Sequence, residues 1–385
     1  MIVKLPLPGG AVREHALREP VAWPKPAGPP RCRIAYAAAH VVADPAGATG
    51  FGDAGAPAAI DWDATLAFRD HLFSYGLGVA EAMDTAQRNM GLDWAATREL
   101  IRRSARQASG RICAGAGTDQ LPGRARSLAE ITAAYEEQLD VVEDAGAVPV
   151  LMASRQLAAL ARGPEDYLAV YGEVLAQVRG PVILHWLGEM FDPLLAGYWG
   201  APDRAAATET VLELIREHAA AIDGIKVSLL DIEHEIALRR ALPAGVRLYT
   251  GDDFHYPELI EGDATGHSDA LLGAFAAIAP AASAALAALD RDDHDAYAAA
   301  LGPTVALSRH VFAAPTQHYK TGIAFLAWLS GHQPGFVMVG GLQGARSLPH
   351  LAETFRLADE AGLFPDPPLA AARLRALLTV GGVDQ

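Results

Sequence analysis

Several features that mark particular classes of protein are scarce in this sequence. It has only two cysteines, Cys32 and Cys113, which lie far apart and lack the spacing of metal ligands. This excludes a disulfide scaffold and predicts a reduced, cytoplasmic setting. Basic residues are also few, since 31 Lys and Arg stand against 46 Asp and Glu, for a formal net charge of −15. No nucleic-acid partner is expected, because phosphate binding requires a cationic face.

Long uninterrupted apolar runs are also rare. Residues 1–31 contain short apolar pieces that prolines break repeatedly, which is not the pattern of a secretory signal. The stretch 271–289 has the length of a membrane span, but it is mostly alanine and contains Pro280 and Ser283. We therefore expect a strand end and a packed helix there, and no membrane partner.

The composition, with 51% hydrophobic and 20% charged residues, is that of a globular protein. Short apolar runs alternate along the chain with longer segments of helical periodicity. The predicted strands cover 34–42, 77–83, 112–117, 147–152, 182–187, 224–227, 246–250 and, weakly, 264–268. Helices are predicted from about 64, 94–108, 128–144, 167–178, 206–220, 232–240 and 257–261. Strands that each precede a helix favour parallel pairing with right-handed crossovers.

Two α/β architectures fit this alternation. A doubly wound sheet that binds a dinucleotide should carry GxGxxG after its first strand, whereas the GAGTD at 115–119 lacks the third glycine. Eight strand–helix units instead suit closure into a (β/α)8 TIM barrel. We predict a proline-rich N-terminal extension at 1–31, the barrel at 32–290, and additional C-terminal helices at 291–385 packed on the barrel.

In such a barrel the active site lies at the carboxyl ends of the strands, where the most informative residue is Lys226. It ends the sixth predicted strand in Asp-Gly-Ile-Lys-Val-Ser. Desolvation there would favour the neutral amine, which can attack a carbonyl group. The alternative is a lysine that reaches solvent or pairs with a carboxylate.

Further polar residues follow other predicted strands. Asp252 and Asp253 follow the seventh, where they bind hydroxyls, hold a metal or cap the next helix, and His255 beside them is a further candidate for substrate contact. His185 and Glu189 follow the fifth and form either a proton-transfer pair or a hydrogen-bonded structural pair. The remaining candidates for substrate contacts are Glu81, Asp84, Thr85, Ser154 and Ser228.

Three local sequences, taken in order, resemble the dihydrodipicolinate synthase and N-acetylneuraminate lyase family. The segment around Lys226 resembles the family's sixth strand, which carries its Schiff-base lysine. Tyr-Thr-Gly-Asp-Asp at 249–253 resembles its seventh strand, and Pro-Thr-Gln-His-Tyr-Lys-Thr-Gly at 315–322 resembles its C-terminal helical stretch. The resemblance covers roughly residues 33–380 and implies a class I aldolase-like TIM barrel, a divergent member that is a homo-oligomer.

The sequence departs from that family at two places. Where the family holds a keto-acid carboxylate after the second strand, this chain has an acidic side chain, Asp84, which would repel that group. The family's tyrosine near the fourth-strand end is replaced by Met-Ala-Ser-Arg at 152–155. Proton transfer is then expected from His185, Glu189 or Ser154.

The leading hypothesis is a lyase in which Lys226 forms a Schiff base with a small-molecule carbonyl substrate, either a keto acid or a hydroxylated sugar derivative. It needs no cofactor beyond the lysine. The alternative is a lyase or isomerase that depends on a divalent metal, bound by Glu81, His185, Glu189, Asp252 and His255. A sugar-binding or scaffold role without catalysis is the third hypothesis.

Overall fold

The computed structural model describes residues 1–47, 57–83, 87–88 and 90–384. Eight parallel strands close into a barrel in the order β10-β3-β4-β5-β6-β7-β8-β9. Their bounds are β3 (Ala35–Ala38), β4 (Gly78–Glu81), β5 (Ile112–Ala116), β6 (Val148–Leu151), β7 (Val182–Leu187), β8 (Ile222–Ser228), β9 (Arg247–Thr250) and β10 (Asp269–Leu272). The predicted (β/α)8 TIM barrel is confirmed, and the alternative of an open sheet is excluded by the closure.

Helices surround the barrel and continue beyond it. The helices up to the last barrel strand are α1 (Trp62–Ser74), α2 (Trp94–Gln107), α3 (Leu128–Asp144), α4 (Arg155–Leu160), α5 (Pro164–Leu175), α6 (Arg204–Glu217), α7 (Ile232–Ala241) and α8 (Tyr256–Glu261). Those after it are α9 (Phe275–Leu289), α10 (His294–Leu301), α11 (Val305–Val311), α12 (Tyr319–Leu329), α13 (Leu348–Glu360) and α14 (Pro367–Val380). Short 3-10 turns join several of them. Within the described ranges, no helix is both long and apolar enough to cross a bilayer.

Many of these helices begin after a residue whose side chain accepts a hydrogen bond from a backbone N–H of the first turn. The residues in this role are Asp61, Asp93, Ser127, Ser154, Asp203, Asp231, Asp293, Ser347 and Asp366. Asp and Ser are favoured at this position because their oxygens satisfy N–H groups that have no partner within the helix. Several acidic residues of the sequence therefore stabilise helix ends.

Alternate residues of each strand face two different apolar layers. One layer fills the barrel and includes Tyr36, Ala38, Ala80, Met83, Cys113, Val150, Met152, Ile183, Tyr249 and Leu271. The other lies between strands and helices and forms the larger core. Because both faces are covered, the strands are apolar almost throughout, as in other parallel sheets.

The position predicted for the last strand was wrong. Residues 264–268 form a turn in which Asp263 Oδ1 accepts the backbone N–H of Thr265 at 2.7 Å. The strand is Asp269–Leu272, where four buried residues follow the polar turn. The helix predicted within 271–289 is present as α9, which bends at Ile278 just before Pro280.

The N-terminal residues form a hairpin that the sequence analysis did not predict. Strands β1 (Ile2–Pro6) and β2 (Val12–Ala16) pair in an antiparallel manner, and Gly9 and Gly10 supply the positive φ angles of the turn. Val3 and Leu5 are buried. His15 Nε2 lies 2.8 Å from Asp359 Oδ2 on α13, so the hairpin is held against the C-terminal helices.

Candidate active site

Lys226 lies inside the barrel on β8, with only 8% of its surface exposed. Its neighbours in strand register are His185 on β7 and Tyr249 on β9, and Tyr249 belongs to the layer that fills the barrel. Gly251, just beyond β9, lies directly against the lysine side chain. A Cβ at this glycine would overlap Ser228 Oγ and lie 2.8 Å from Lys226 Cε. The space around the lysine therefore depends on the missing side chain of Gly251.

His185 and Ser228 complete the polar group around this lysine. Both are buried, and His185 Nε2 lies 3.2 Å from Ser228 Oγ. Ser228 follows Lys226 by two residues and so lies on the same face of β8. The structure thus brings together three of the predicted site residues, one amine, one imidazole and one hydroxyl.

The two aspartates after β9 both bind backbone amides. Asp252 Oδ1 accepts N–H groups from Phe254 and His255, and its Oδ2 lies 3.0 Å from His255 Nδ1. Asp253 Oδ1 accepts the N–H of Ala274 at 2.8 Å. Burial raises the pKa of Asp253 to about 7. Asp252 and His255 therefore shape the loop after β9, and Asp253 is a buried carboxyl that interacts electrostatically with Lys226.

Lys320, at the start of α12, is a buried lysine that was not among the site residues predicted from the sequence. The chain has four lysines, of which Lys4 and Lys25 are exposed. Lys320 is 2% exposed, and its Nζ donates to the carbonyl oxygen of Ala38, where β3 ends. Burial, with repulsion from Arg69 and Lys226, lowers the pKa of Lys320 to about 7. The sequence signal that could have drawn attention to Lys320 is the small number of lysines in the chain.

The expectation that Glu81 contacts substrate is not supported by its position. Ala80 faces the barrel interior, so Glu81 faces the outer layer, where its two carboxylate oxygens accept from Arg69 Nε and Nη2 at 2.7 and 2.9 Å. Arg69 also donates to the backbone carbonyl of His40. Both charged groups are almost completely buried, and we assign them a structural role.

Ser154 lies at the start of α4, and Glu189 lies in the loop after β7. Ser154 Oγ caps α4 by accepting from Leu157 N, and it lies 2.7 Å from Thr118 Oγ1. The backbone N–H of Ser154 donates to Tyr198 Oη at 2.8 Å, so a tyrosine from a distant segment reaches the loop that follows the fourth barrel strand. Glu189 is exposed in the loop after β7. Asp84 and Thr85 lie outside the described residues.

A cavity of about 150 Å³ opens at the rim of the barrel, beside the ends of β5 and β6. Its lining includes Thr118, Asp119, Met152, Arg155 and Asp192. Arg155 Nε and Asp192 Oδ2 form an ion pair of 2.5 Å across it. Polar side chains therefore line this part of the mouth.

The five residues of the metal hypothesis do not converge. Glu81 faces Arg69, Glu189 is exposed, and His255 is bound to Asp252. Among the residues that the structure describes, no group of three or more His, Cys, Asp or Glu could hold a metal ion. The placement of these side chains therefore does not favour the metal-dependent alternative.

The chain belongs to the family described as "Protein of unknown function (DUF993)", whose model matches residues 3–383. Its fold is similar to solved dihydrodipicolinate synthase structures. The enzyme from Acinetobacter baumannii, complexed with pyruvate, is 17% identical with a TM-score of 0.65, and the match covers 86% of this chain and 100% of that one. The enzyme from Aquifex aeolicus is 13% identical with a TM-score of 0.60, and the match covers 91% of this chain and 98% of that one.

A third similar structure is YagE, a prophage protein of E. coli K12 that belongs to the dihydrodipicolinic acid synthase family and was solved with pyruvate. It is 16% identical with a TM-score of 0.62, and the match covers 91% of this chain and 99% of that one. These likenesses show the fold, and they confirm the structural part of the resemblance seen in the sequence. No curated protein matches this sequence.

Proposed function

We propose that this DUF993 protein is a class I aldolase-like lyase in which Lys226 forms a Schiff base with a carbonyl substrate. The observation that carries the proposal is the position of Lys226, buried on the sixth barrel strand beside the space that Gly251 leaves. Active sites of such barrels lie at this end of the strands. A buried lysine can supply the neutral amine that attacks a carbonyl carbon.

The chemistry needs an amine and a group that moves protons. Nζ of Lys226 forms a bond to the carbonyl carbon, the oxygen leaves as water, and an iminium remains. The iminium withdraws electrons, so a C–C or C–H bond at the neighbouring carbon breaks more easily. His185, paired with Ser228 at 3.2 Å, is the proton-transfer residue of this proposal. Glu189 is not assigned that role, because it is exposed on a loop.

The substrate class is a polar carbonyl compound, either a keto acid or a hydroxylated sugar derivative. Ser228 provides a hydroxyl beside Lys226, and Thr118 and Arg155 line the cavity at the rim. Pyruvate is a reasonable first probe, since two of the similar structures were solved with it. We propose that the protein works as a homo-oligomer, as the sequence resemblance implies, without a cofactor beyond the lysine.

The proposal is tested by exchange of protons for deuterium at the carbon next to the carbonyl. Imine formation acidifies those C–H bonds, so a keto acid or ketose that binds as proposed should exchange in D2O when the protein is added. Exchange should disappear in Lys226→Met and persist in Lys25→Met, which alters an exposed lysine. In His185→Gln it should slow by roughly 10²- to 10⁴-fold, the usual contribution of a positioned acid or base.

Full exchange activity in Lys226→Met would refute the proposal. Exchange that vanished on treatment with a chelator, and returned with a divalent metal, would favour the metal-dependent alternative instead.

A further inference from the structure

The proline-rich N-terminal segment spans the outside of the barrel. Residues 18–31, here called the strap, are tied at one end to α13, where Arg18 N donates to Asp359 Oδ2 at 3.1 Å. At the other end, Arg31 N donates to Asp290 Oδ1 at 3.0 Å. The structure describes the whole strap, which contains neither helix nor strand. Five of its residues are proline, which fixes φ and lacks an N–H group, so the strap is an extended and stiff span.

A cavity of about 500 Å³ lies beneath residues 20–23 of the strap, and this volume is within the range of small-molecule sites. The strap forms one wall, and α1, α9, α12 and the turns after α12 and α13 form the others. Its apolar lining includes Trp23, Phe68, Pro280 and Leu326. None of the described residues that line it belongs to a barrel strand, so the cavity differs from the site at Lys226.

Two histidines bring polar atoms to this apolar cavity. His71 of α1 and His332, which follows α12, have ring centroids 3.9 Å apart. The ring of Phe68 lies 5.9 Å from that of His71 and 5.8 Å from that of His332, so the three rings form one cluster. Both histidines are half-buried and line the cavity. A neutral imidazole carries one donor N–H and one acceptor nitrogen, so the pair can hydrogen-bond a molecule that lies there.

The described lining of the cavity contains no Asp, Glu, Lys or Arg. Burial lowers the pKa of His71 to about 3 and that of His332 to about 4, so both rings are neutral at pH 7. Lys25 also acts on His71 by its charge, but it is exposed, and its Nζ donates to Ser74 Oγ at 2.9 Å. A charged ligand would therefore lose its hydration in this cavity and find no opposite charge in the lining.

We infer that this cavity is a second ligand site, which binds an uncharged aromatic molecule that carries a hydroxyl or N–H group. Trp23, Phe68 and Tyr75 supply ring surfaces against which aromatic rings pack. His71 and His332 hydrogen-bond the single polar group of the ligand. The strap is a wall of this site, and because it is tied at both ends, little of its freedom is lost when the ligand binds.

Two fluorescent probes that differ by one charge test this inference. N-phenyl-1-naphthylamine is uncharged and aromatic and carries one N–H group, and its fluorescence rises in apolar surroundings. We expect this rise to saturate when a single probe is bound to each chain. 8-Anilinonaphthalene-1-sulfonate has the same rings with an added sulfonate, so it should bind about tenfold more weakly or worse.

Substitutions in the lining should weaken binding of the naphthylamine. Ala277→Trp fills the cavity from α9 and should raise the Kd about tenfold or more, whereas Ala372→Trp, at an exposed position of α14, should leave it unchanged. Val21→Asp adds a carboxylate to the strap wall and should also raise the Kd, with Val12→Asp on the exposed face of β2 as its control. His332→Leu removes a hydrogen-bonding ring and should raise the Kd about fivefold.

If Ala277→Trp does not fold, Val21→Asp decides the question, because residue 21 is exposed on the strap and its replacement leaves the core intact. The inference would be overturned if the wild type did not bind the naphthylamine, or if Val21→Asp bound it as tightly as Val12→Asp. Equal binding of the sulfonate would also overturn it, since the lining would then not select an uncharged ligand. None of these results depends on imine formation at Lys226, so the two proposals stand or fall separately.

Discussion

Among single residues, Gly251 provides the space that the reaction proposed for Lys226 requires. The lysine side chain passes over Gly251, whose backbone N–H is bound to Val227 O at 2.7 Å and cannot easily move away. A side chain at this position would press on both Lys226 and Ser228. Gly251 is therefore required by packing, without any special backbone angle.

Gly251→Ala should consequently impair reaction at Lys226 while the barrel still folds. The added Cβ displaces the lysine, and overpacking of this kind costs about 1–3 kcal/mol of stability. Imine trapping and urea unfolding measure the two effects. Gly180→Ala is the matched control, because a Cβ there meets no atom within 4 Å. If Gly251→Ala trapped the imine as efficiently as the wild type, the crowding would have no effect on Lys226 and the prediction would be wrong.

The sequence predicted the position of some side chains inside the barrel and not of others, for physical reasons. Lys226 became a candidate because its segment resembles a strand of a known family, and His185 because it lies in an apolar run. The direction of the Glu81 side chain could not be predicted, because all four residues of β4 are buried and no polar alternation distinguishes the two faces of this strand. Lys320 comes from a helix 94 residues beyond Lys226 in number, so no local pattern connects the two.

At the scale of secondary-structure elements, the Arg69–Glu81 pair joins α1 to β4 behind the active site. Both side chains are at most 1% exposed, and Arg69 also binds the carbonyl at residue 40 after β3. The pair thus fixes the ends of two barrel strands relative to one helix. This role differs from the contact with substrate that the sequence suggested.

Removing only one member of this pair should be strongly destabilising. Arg69→Met leaves a buried carboxylate without its partner, for which about 3–5 kcal/mol is expected. Replacing both residues, Arg69→Met with Glu81→Leu, should restore much of that loss. Urea unfolding provides the comparison, and Arg126→Ala, which breaks an exposed pair with Glu130, should cost far less because both of those groups lie in water. A cost for Arg69→Met as small as this control would contradict the structural role.

Most elements of the barrel were predictable, whereas α4, the last strand and the N-terminal hairpin were not. Seven barrel strands coincide with predicted apolar runs, because a strand covered on both faces is apolar throughout. The eighth follows a polar turn, and the predicted strand covered that turn instead of Asp269–Leu272. The N-terminal hairpin went unpredicted because β2 is almost entirely exposed and shows no apolar alternation.

At the scale of the whole molecule, buried carboxyl groups make stability depend on pH. Glu235 on α7 accepts from Thr250 Oγ1 at 3.0 Å and from Ser268 Oγ at 2.9 Å, between the helix and the barrel. Burial raises the pKa of Glu235 from 4.5 to about 8. The folded protein therefore favours the protonated carboxyl, and the stabilisation is fully present below pH 4.5 and is lost as pH rises to about 8.

Glu235→Gln should remove this dependence because its amide does not ionise. The difference in unfolding free energy between variant and wild type should rise in favour of the variant across that pH range, by roughly 1.4 kcal/mol for each unit of pKa difference. Glu233→Gln, an exposed change on the same helix, is the control. Parallel stability curves for Glu235→Gln and wild type would show that Glu235 ionises normally in the folded state.

Borohydride reduction is the sharpest test of Lys226 as the residue that binds the carbonyl substrate. The protein is reduced in the presence of keto acids, ketoses and keto-sugar acids, and its peptides are then analysed by mass spectrometry. We expect a stable adduct on the peptide that contains Lys226, retained in Lys25→Met and absent in Lys226→Met. The absence of any adduct at Lys226 across the whole panel, or equal labelling of the exposed Lys4 and Lys25, would contradict it.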